Sequence, residues 1–515
     1  MRGHMDRMMR SLAAVCIFSC TALLLADGDT AGAQAHYDYI VTDGEFGADV
    51  TDRDSDARAI QRAFEKAIGA KEPVTIYFPA GTYYIDKPLR IYSNTHLVLD
   101  DNAVIYRMDS LIDRGLLHNV DQDGRMDVTG GYDMSENITI EGGTWDGGDI
   151  KKASKGSDII RFDHARNITV KDCTVRNTYD CHLIEFVGIE GGSISGCTLT
   201  GFRYRQGHSN DWAYAREAVQ LESAWTNNEA DKTEVSSLWA KGSVVDGTSC
   251  RKVAVTGNRV IDFPCGIGQH HYTKNGKHRN EDITISGNTI TCPSSWKHCK
   301  TAITCGGMNQ VLISENVVKG PYRFSVHVVE SDGVNIQKNK MAGISMNGIM
   351  VDSGKVKAIA GNTLSSVRKH GISVGGGTVT RIEGNIVKGA KIDGLSVDGG
   401  SVKLICGNTF QNIKKHGISI TGGAIGTGRS RSTGIQKNKI RDCRANGISV
   451  SVDCRVSAVR GNKITGVRNN GISVTDRAKV YWITGNTIRK CKKHGIWNGS
   501  TVRRAKVGGN KGKVK

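Results

Sequence analysis

Four things are scarce in this chain: proline, with six residues in 515, paired Cys-x-x-Cys motifs, long apolar runs, and acidic residues after position 337. Proline would remove backbone donors from a strand ladder, so its scarcity beside 63 glycines suits a bend-rich stack of paired strands. Without Cys-x-x-Cys spacing, thiolate metal binding has no support among the scattered cysteines. The one apolar run, Leu12 to Ala26, follows Arg2, Arg7 and Arg10 and precedes Ala31-Gly32-Ala33. That order reads as an export signal over residues 1–33, cleaved at the small residues. No other stretch could span a bilayer, so the mature protein is expected outside the membrane, secreted or held at the cell surface.

What is present is a beat. Asn339, Asn362, Asn385 and Asn408 lie 23 residues apart, Asn438 follows after 30, and Asn462, Asn486 and Asn510 follow at 24. Half a period later comes a second phrase, from Gly348-Ile349 through Gly394-Leu395 to Gly495-Ile496. Runs such as GISV and RIEGN alternate with period two, and two of them fit each repeat. A fixed period of this size indicates a solenoid whose repeats bury their apolar faces on one another. The gaps are too tight for helical crossovers, so each repeat reads as one coil of a parallel β-helix. Asn and Gly suit the bends because they reach left-handed backbone angles cheaply, and Asn side chains can ladder between coils. Cys173 and Cys197 occupy matching phrases, KDCTV and SGCTL, which makes them stacked core residues on neighbouring coils rather than a disulfide.

Residues Tyr37 to Asp101 carry "DGEFGADVTDRDSDARAIQRAFEKA" followed by "VTIYFPAGTYYIDKPLRIYSNTHLVLDDNAVI". This resembles the N-terminal entry of the pectin-lyase-like right-handed β-helix superfamily, which includes pectate lyases and polygalacturonase-type hydrolases. The resemblance implies an all-β chain, a single-stranded right-handed parallel β-helix with an N-terminal capping helix. Asp54 or Ser55 can cap a helix spanning about Ser55 to Ile68, with Ile60, Phe64 and Ile68 on one face to plug the open end of the stack. The expected organisation is a leader over 1–33, a β-helix portion with long coils and a candidate groove over 36–337, and regular basic repeats over 338–515. The NTD, DD, GHG and RIK motifs of the hydrolases are absent in their expected order, as is the aspartate trio of the lyases. No catalytic residue therefore carries over from the family.

Candidate chemistry comes from the residues themselves. Aligning Ile184, Val219, Ile267, Ile303 and Val326 as inward puts Glu185, Gln220, Thr304 and His327 outward in one file, with Glu222 and His270 two residues along. Glu185 and Glu222 would stand roughly 8 Å apart, inside the window for an inverting acid/base pair. The intervening loop adds His208, Asp211, Trp212, Tyr214 and Arg216, where aromatics offer sugar platforms and polar groups offer hydrogen bonds. The leading expectation is a glycoside hydrolase with Glu222 paired to Glu185 or Asp211. Gln220, His270, His208 and Arg216 would bind hydroxyls, and Trp212 and Tyr214 would stack on sugars. It needs no cofactor; a lyase, the alternative, would use calcium to neutralise a uronate. His270, His271 and Glu222 lack a ligand frame, so no metal is assigned. A third reading is a non-catalytic glycan-binding or adhesin protein on the cell surface.

From Lys338 to Lys515 there are 34 Lys and Arg against 7 Asp and Glu. The whole chain is +18, so the first 337 residues carry net negative charge. A basic half on an exported protein points to an anionic cell-wall polymer as a partner beside the glycan itself, and the export signal argues against nucleic acid.

Overall fold

The computed structural model describes residues 36–111, 115–120, 129–149, 156–204, 216–225, 244–269, 272, 276–293, 299–499 and the backbone of 506–508. Each coil contributes three strands where two alternating runs were expected. Gly354–Ala360, Thr363–Ser365 and Ile372–Val374 pair in parallel with Thr378–Glu383, Ile386–Lys388 and Leu395–Asp398 of the next coil. The first run splits because Gly361, at φ +64°, and Asn362 bend the chain between its two halves. Among the described residues, strands of the first two kinds make a 31-stranded sheet and those of the third a 15-stranded sheet.

Inward aliphatics stack from coil to coil. Ile184, Val219, Ile267, Ile303, Val326, Ile349 and Ile372 are successive register partners and all fully buried. At the bend runs a buried ladder of asparagines, from Asn258 through Asn288 and Asn316 to Asn486. In each rung the backbone N–H and Nδ2 both donate to the next Asn Oδ1, and Nδ2 also donates to a strand carbonyl of the preceding coil. Cys173 and Cys197 are stacked free thiols, as the repeat phrases implied. A disulfide also joins Cys292 to Cys299, which the spacing had not suggested.

The helix spans Ala57–Glu65, shorter than the sequence pattern suggested. The N-cap is Asp56 rather than Asp54 or Ser55, and its side chain makes no capping bond. Ala57 N–H donates to Ser55 Oγ at 3.3 Å, and Ile60 and Phe64 pack into the first coil, where Phe64 meets Phe78 edge-on. Ile68 falls beyond the last turn and is 60 % exposed, so it is not part of the plug. The backbone leaves the helix at Lys66, and that removes Ile68 from the buried face.

Candidate functional site

The outward file of the smaller sheet has the register the alternation required. Arg161, Glu185, Gln220, Gly268, Thr304 and His327 are successive partners, and Glu222 lies in the adjoining file after Asp163 and Val187. Outward does not mean open, however. Glu185 is 5 % exposed, Glu222 4 % and Gln220 fully buried.

The file is organised around Arg161, on strand Ile160–Asp163, which the sequence reading passed over. Its guanidinium holds Asp163 with two 2.9 Å bonds and donates to Glu185 Oε2 at 2.8 Å, with Asp158 at 3.6 Å. Asp158 in turn accepts from the Cys181 thiol at 2.9 Å and the His182 backbone N–H at 3.2 Å, and it hydrogen-bonds Glu185. His182 Nδ1–H donates to the Glu217 carbonyl at 2.8 Å. Across the face, Gln220 Nε2 donates to Glu222 Oε2 at 3.1 Å. The arginine was findable, because it lies 24 residues before Glu185, on the repeat's own beat.

One guanidinium cannot offset three buried carboxylates, so the protonated form is favoured within the group, and most strongly at Glu185. Burial pushes its carboxyl well above the ordinary range against the pull of Arg161, and neighbouring Asp158 pushes it further. Asp158 is held below its ordinary value, burial being outweighed by the Glu185 hydrogen bond, His182 and Arg161. His118, the file's preceding member, stays neutral, its pKa lowered to about 4 by burial and by Arg161.

The two shifts give opposite pH dependences. Stability from protonated Glu185 is complete below the ordinary carboxylate range and is lost as pH rises toward its raised folded value. Stability from ionised Asp158 is lost as pH falls through its depressed folded value. Glu185→Gln mimics the protonated acid, so thermal melts from about pH 5 to about pH 9 should show its alkaline decline flattened relative to the wild type. Superimposable profiles would mean that Glu185 is ionised in the fold.

Of the other candidates, Arg216 is half-buried at the start of strand Glu217–Glu222 and acts electrostatically on Cys265. His208, Asp211, Trp212, Tyr214 and His270 lie outside the described residues. Two aromatics next to that loop are engaged within the protein: Tyr204 packs edge-on against Phe202, and Trp225 stacks on His278. Asp246 accepts from the backbone N–H groups of Gly131 and Thr248, one long-range and one local structural bond.

The stacked parallel coils form a right-handed parallel β-helix, and the first coils are similar to the pectate lyase-like superfamily. Family comparisons match "Rhamnogalacturonase A/epimerase, pectate lyase-like" to residues 41–182, "Periplasmic copper-binding protein (NosD)" to 251–428 and "Right handed beta helix region" to 347–511. Over 180 residues the chain is 23% identical to Plasmin and fibronectin-binding protein A of Streptococcus pneumoniae, a match covering 32% of this chain and a quarter of that protein. A crystal structure of PfbA, described as a surface adhesin of Streptococcus pneumoniae, superposes with a TM-score of 0.51 at 14% identity, covering 91% of this chain and 96% of that one. The A-module of an Azotobacter vinelandii mannuronan C-5 epimerase matches with a TM-score of 0.37 at 15% identity, over 92% of this chain and 99% of that one. The described residues of 251–428 bring together no cluster of three His, Cys, Asp or Glu that would suit copper. The group that does converge, Asp158, Cys181 and His182, lies outside that stretch.

Proposed function

We propose that this is an extracytoplasmic glycan-binding protein of adhesin type. Its polysaccharide would meet the smaller sheet at the Arg216 end of strands Ile160–Asp163, Ile184–Val187 and Glu217–Glu222, where Arg216 is half-buried, with the closed Arg161 cluster as the support beneath. The observation that carries this reading is the engagement of Glu185. A hydrolase needs one carboxyl group to protonate the leaving oxygen and a second to activate water or attack. Here Glu185 is tied to Arg161 and Asp158 in a buried network, so it serves the architecture of the face rather than a reacting bond. The likeness to a surface adhesin supports the same reading at the level of the fold.

Hydrolysis is the second reading, favoured by one specific observation. Burial and Asp158 raise the Glu185 carboxyl well above its ordinary range, the direction that a general acid requires, with Glu222 one coil away. Retention of the full chain on a panel of immobilised polysaccharides separates the two, combined with assays for new reducing ends and for unsaturated products. The binding reading expects retention without either product. Catalysis expects product, and a loss of about a hundredfold or more in rate with Glu222→Gln. Product formation that Glu222→Gln abolishes would replace the binding reading with the hydrolytic one.

A further inference from the structure

The basic repeats turn their cations into a line. Arg368, Lys391, Lys414, Arg444, Arg468 and Lys492 occupy the same corner of six successive coils, just before the third strand of each. Backbone bonds fix the register. The amide of each cation donates to the residue immediately before the preceding member of the series, as in Lys391 to Val367, Lys414 to Ala390 and Arg444 to Ile413. The 30-residue coil does not interrupt the file. Its extra residues lie between Ala424–Ile425 and Gly434–Gln436 on the larger sheet, so Arg444 still sits directly over Lys414.

All six side chains are exposed, and none forms an ion pair among the described residues. That contrasts with the first half of the chain. There Arg166 pairs with Asp133, Arg176 with Asp146 and Arg251 with Glu190. Behind each of the first five cations the chain anchors a buried residue, Val367, Ala390, Ile413, Cys443 and Val467, so the corner is held in place. Adjacent coils are about 4.8 Å apart, which makes the file roughly 24 Å long. That spacing is well inside the Debye length of about 8 Å at physiological salt, so the cations repel one another. Solubility does not call for cations to be aligned in this way.

We propose that this corner is a docking line for a linear anionic polysaccharide, lying along the solenoid axis with its charges opposite the file. An extended pyranose chain advances by about one coil spacing per sugar, so a polymer with one carboxylate per sugar matches the cations in both direction and step. Duplex DNA presents a charge about every 1.7 Å on two winding strands, and a straight file would meet only a few of them. An anionic membrane is a plane, better served by a patch than by a single edge. The site is independent of the Arg161 face, and its test does not depend on glycan binding there.

Binding of the full chain to polygalacturonate, a polymer with one carboxylate per sugar, tests it at low and at molar salt. Two triple variants remove equal charge: Lys391→Gln, Lys414→Gln, Arg444→Gln on the file, and Lys357→Gln, Lys403→Gln, Lys479→Gln away from it. Wild-type binding should be lost in molar salt. The on-file triple should weaken low-salt binding by about tenfold or more, and the off-file triple by less than about threefold. The proposal is overturned by absence of wild-type binding, by salt-insensitive binding, or by equal losses in the two triples. It is also overturned if duplex DNA or phosphatidylserine vesicles bind more tightly than the polyuronate.

Discussion

Replacing Arg161 with methionine is expected to destabilise the fold by about 3–5 kcal/mol. The side chain is 4 % exposed and neutralises a pocket in which Asp163 is fully buried and Asp158 and Glu185 nearly so. Methionine matches much of the aliphatic stem but leaves Asp163 without the two bonds that hold its charge. The Asp163 carboxylate would then stay buried without those two bonds, which costs stability. Arg161→Lys should recover only part of the loss, because a single ammonium cannot bind Asp163 through two parallel bonds while also reaching Glu185. Chemical denaturation of both variants measures this. A loss below about 1 kcal/mol for Arg161→Met would mean that the carboxylates are solvated rather than paired.

Asn385→Ala should cost about 3 kcal/mol or more, although it removes only a small side chain. Asn385 Nδ2 donates to Ile359 O at 2.8 Å and to Asn408 Oδ1 at 2.9 Å, while its own Oδ1 accepts from Asn362 N and Nδ2, both at 2.9 Å. Alanine leaves the Asn362 amide groups and the Ile359 carbonyl buried without a partner on that side. Coils of a solenoid contact mainly their neighbours, so the defect should concentrate at the interface between the Asn362 and Asn408 coils. Hydrogen exchange of the variant would show it as lost protection there, with the strands around Asn258 little changed. Uniform loss along the whole stack would contradict a local rung energy.

The stack was legible because the determinants of a β-helix repeat with the coil. Asn at the bend, Gly-Ile at the next strand and alternation between them are visible as a beat, and the register of Glu185, Gln220, Thr304 and His327 follows from it. Where the beat ends, legibility ends. The helix boundary at Glu65 depends on where the backbone leaves the helix axis, which the spacing of Ile60, Phe64 and Ile68 does not encode. The split of the first run at Gly361 was hidden for a similar reason, since Gly and Asn mark bends without fixing how many strands flank them.

The face around Glu185 was legible in position but not in state. Alternation places a carboxylate outward, whereas only the fold brings Arg161, Asp158 and Asp163 onto it and closes the cluster to solvent. Spacing is equally silent on Asp246 and Trp225, which find partners inside the protein. The cation file was legible in part. The RKHG, KKHG and CKKHG phrases recur on the beat and put Arg368, Lys414 and Lys492 in line, but Arg444 lies in RDCRANG, 30 residues beyond Lys414, and only the backbone ladder brings it into the file.

The central claim, that a polysaccharide meets the smaller sheet around the Arg161 cluster, is tested most directly by a crystal structure of the full chain. It should be soaked with an oligosaccharide cut from whichever polysaccharide the protein retains most strongly. Sugar density is expected at the Arg216 end of strands Ile160–Asp163, Ile184–Val187 and Glu217–Glu222, in contact with Arg216 and with the bonds of Arg161 to Asp163 and Glu185 intact. Density confined to the larger sheet or to the basic corner, with the Arg161 face bare, would contradict it.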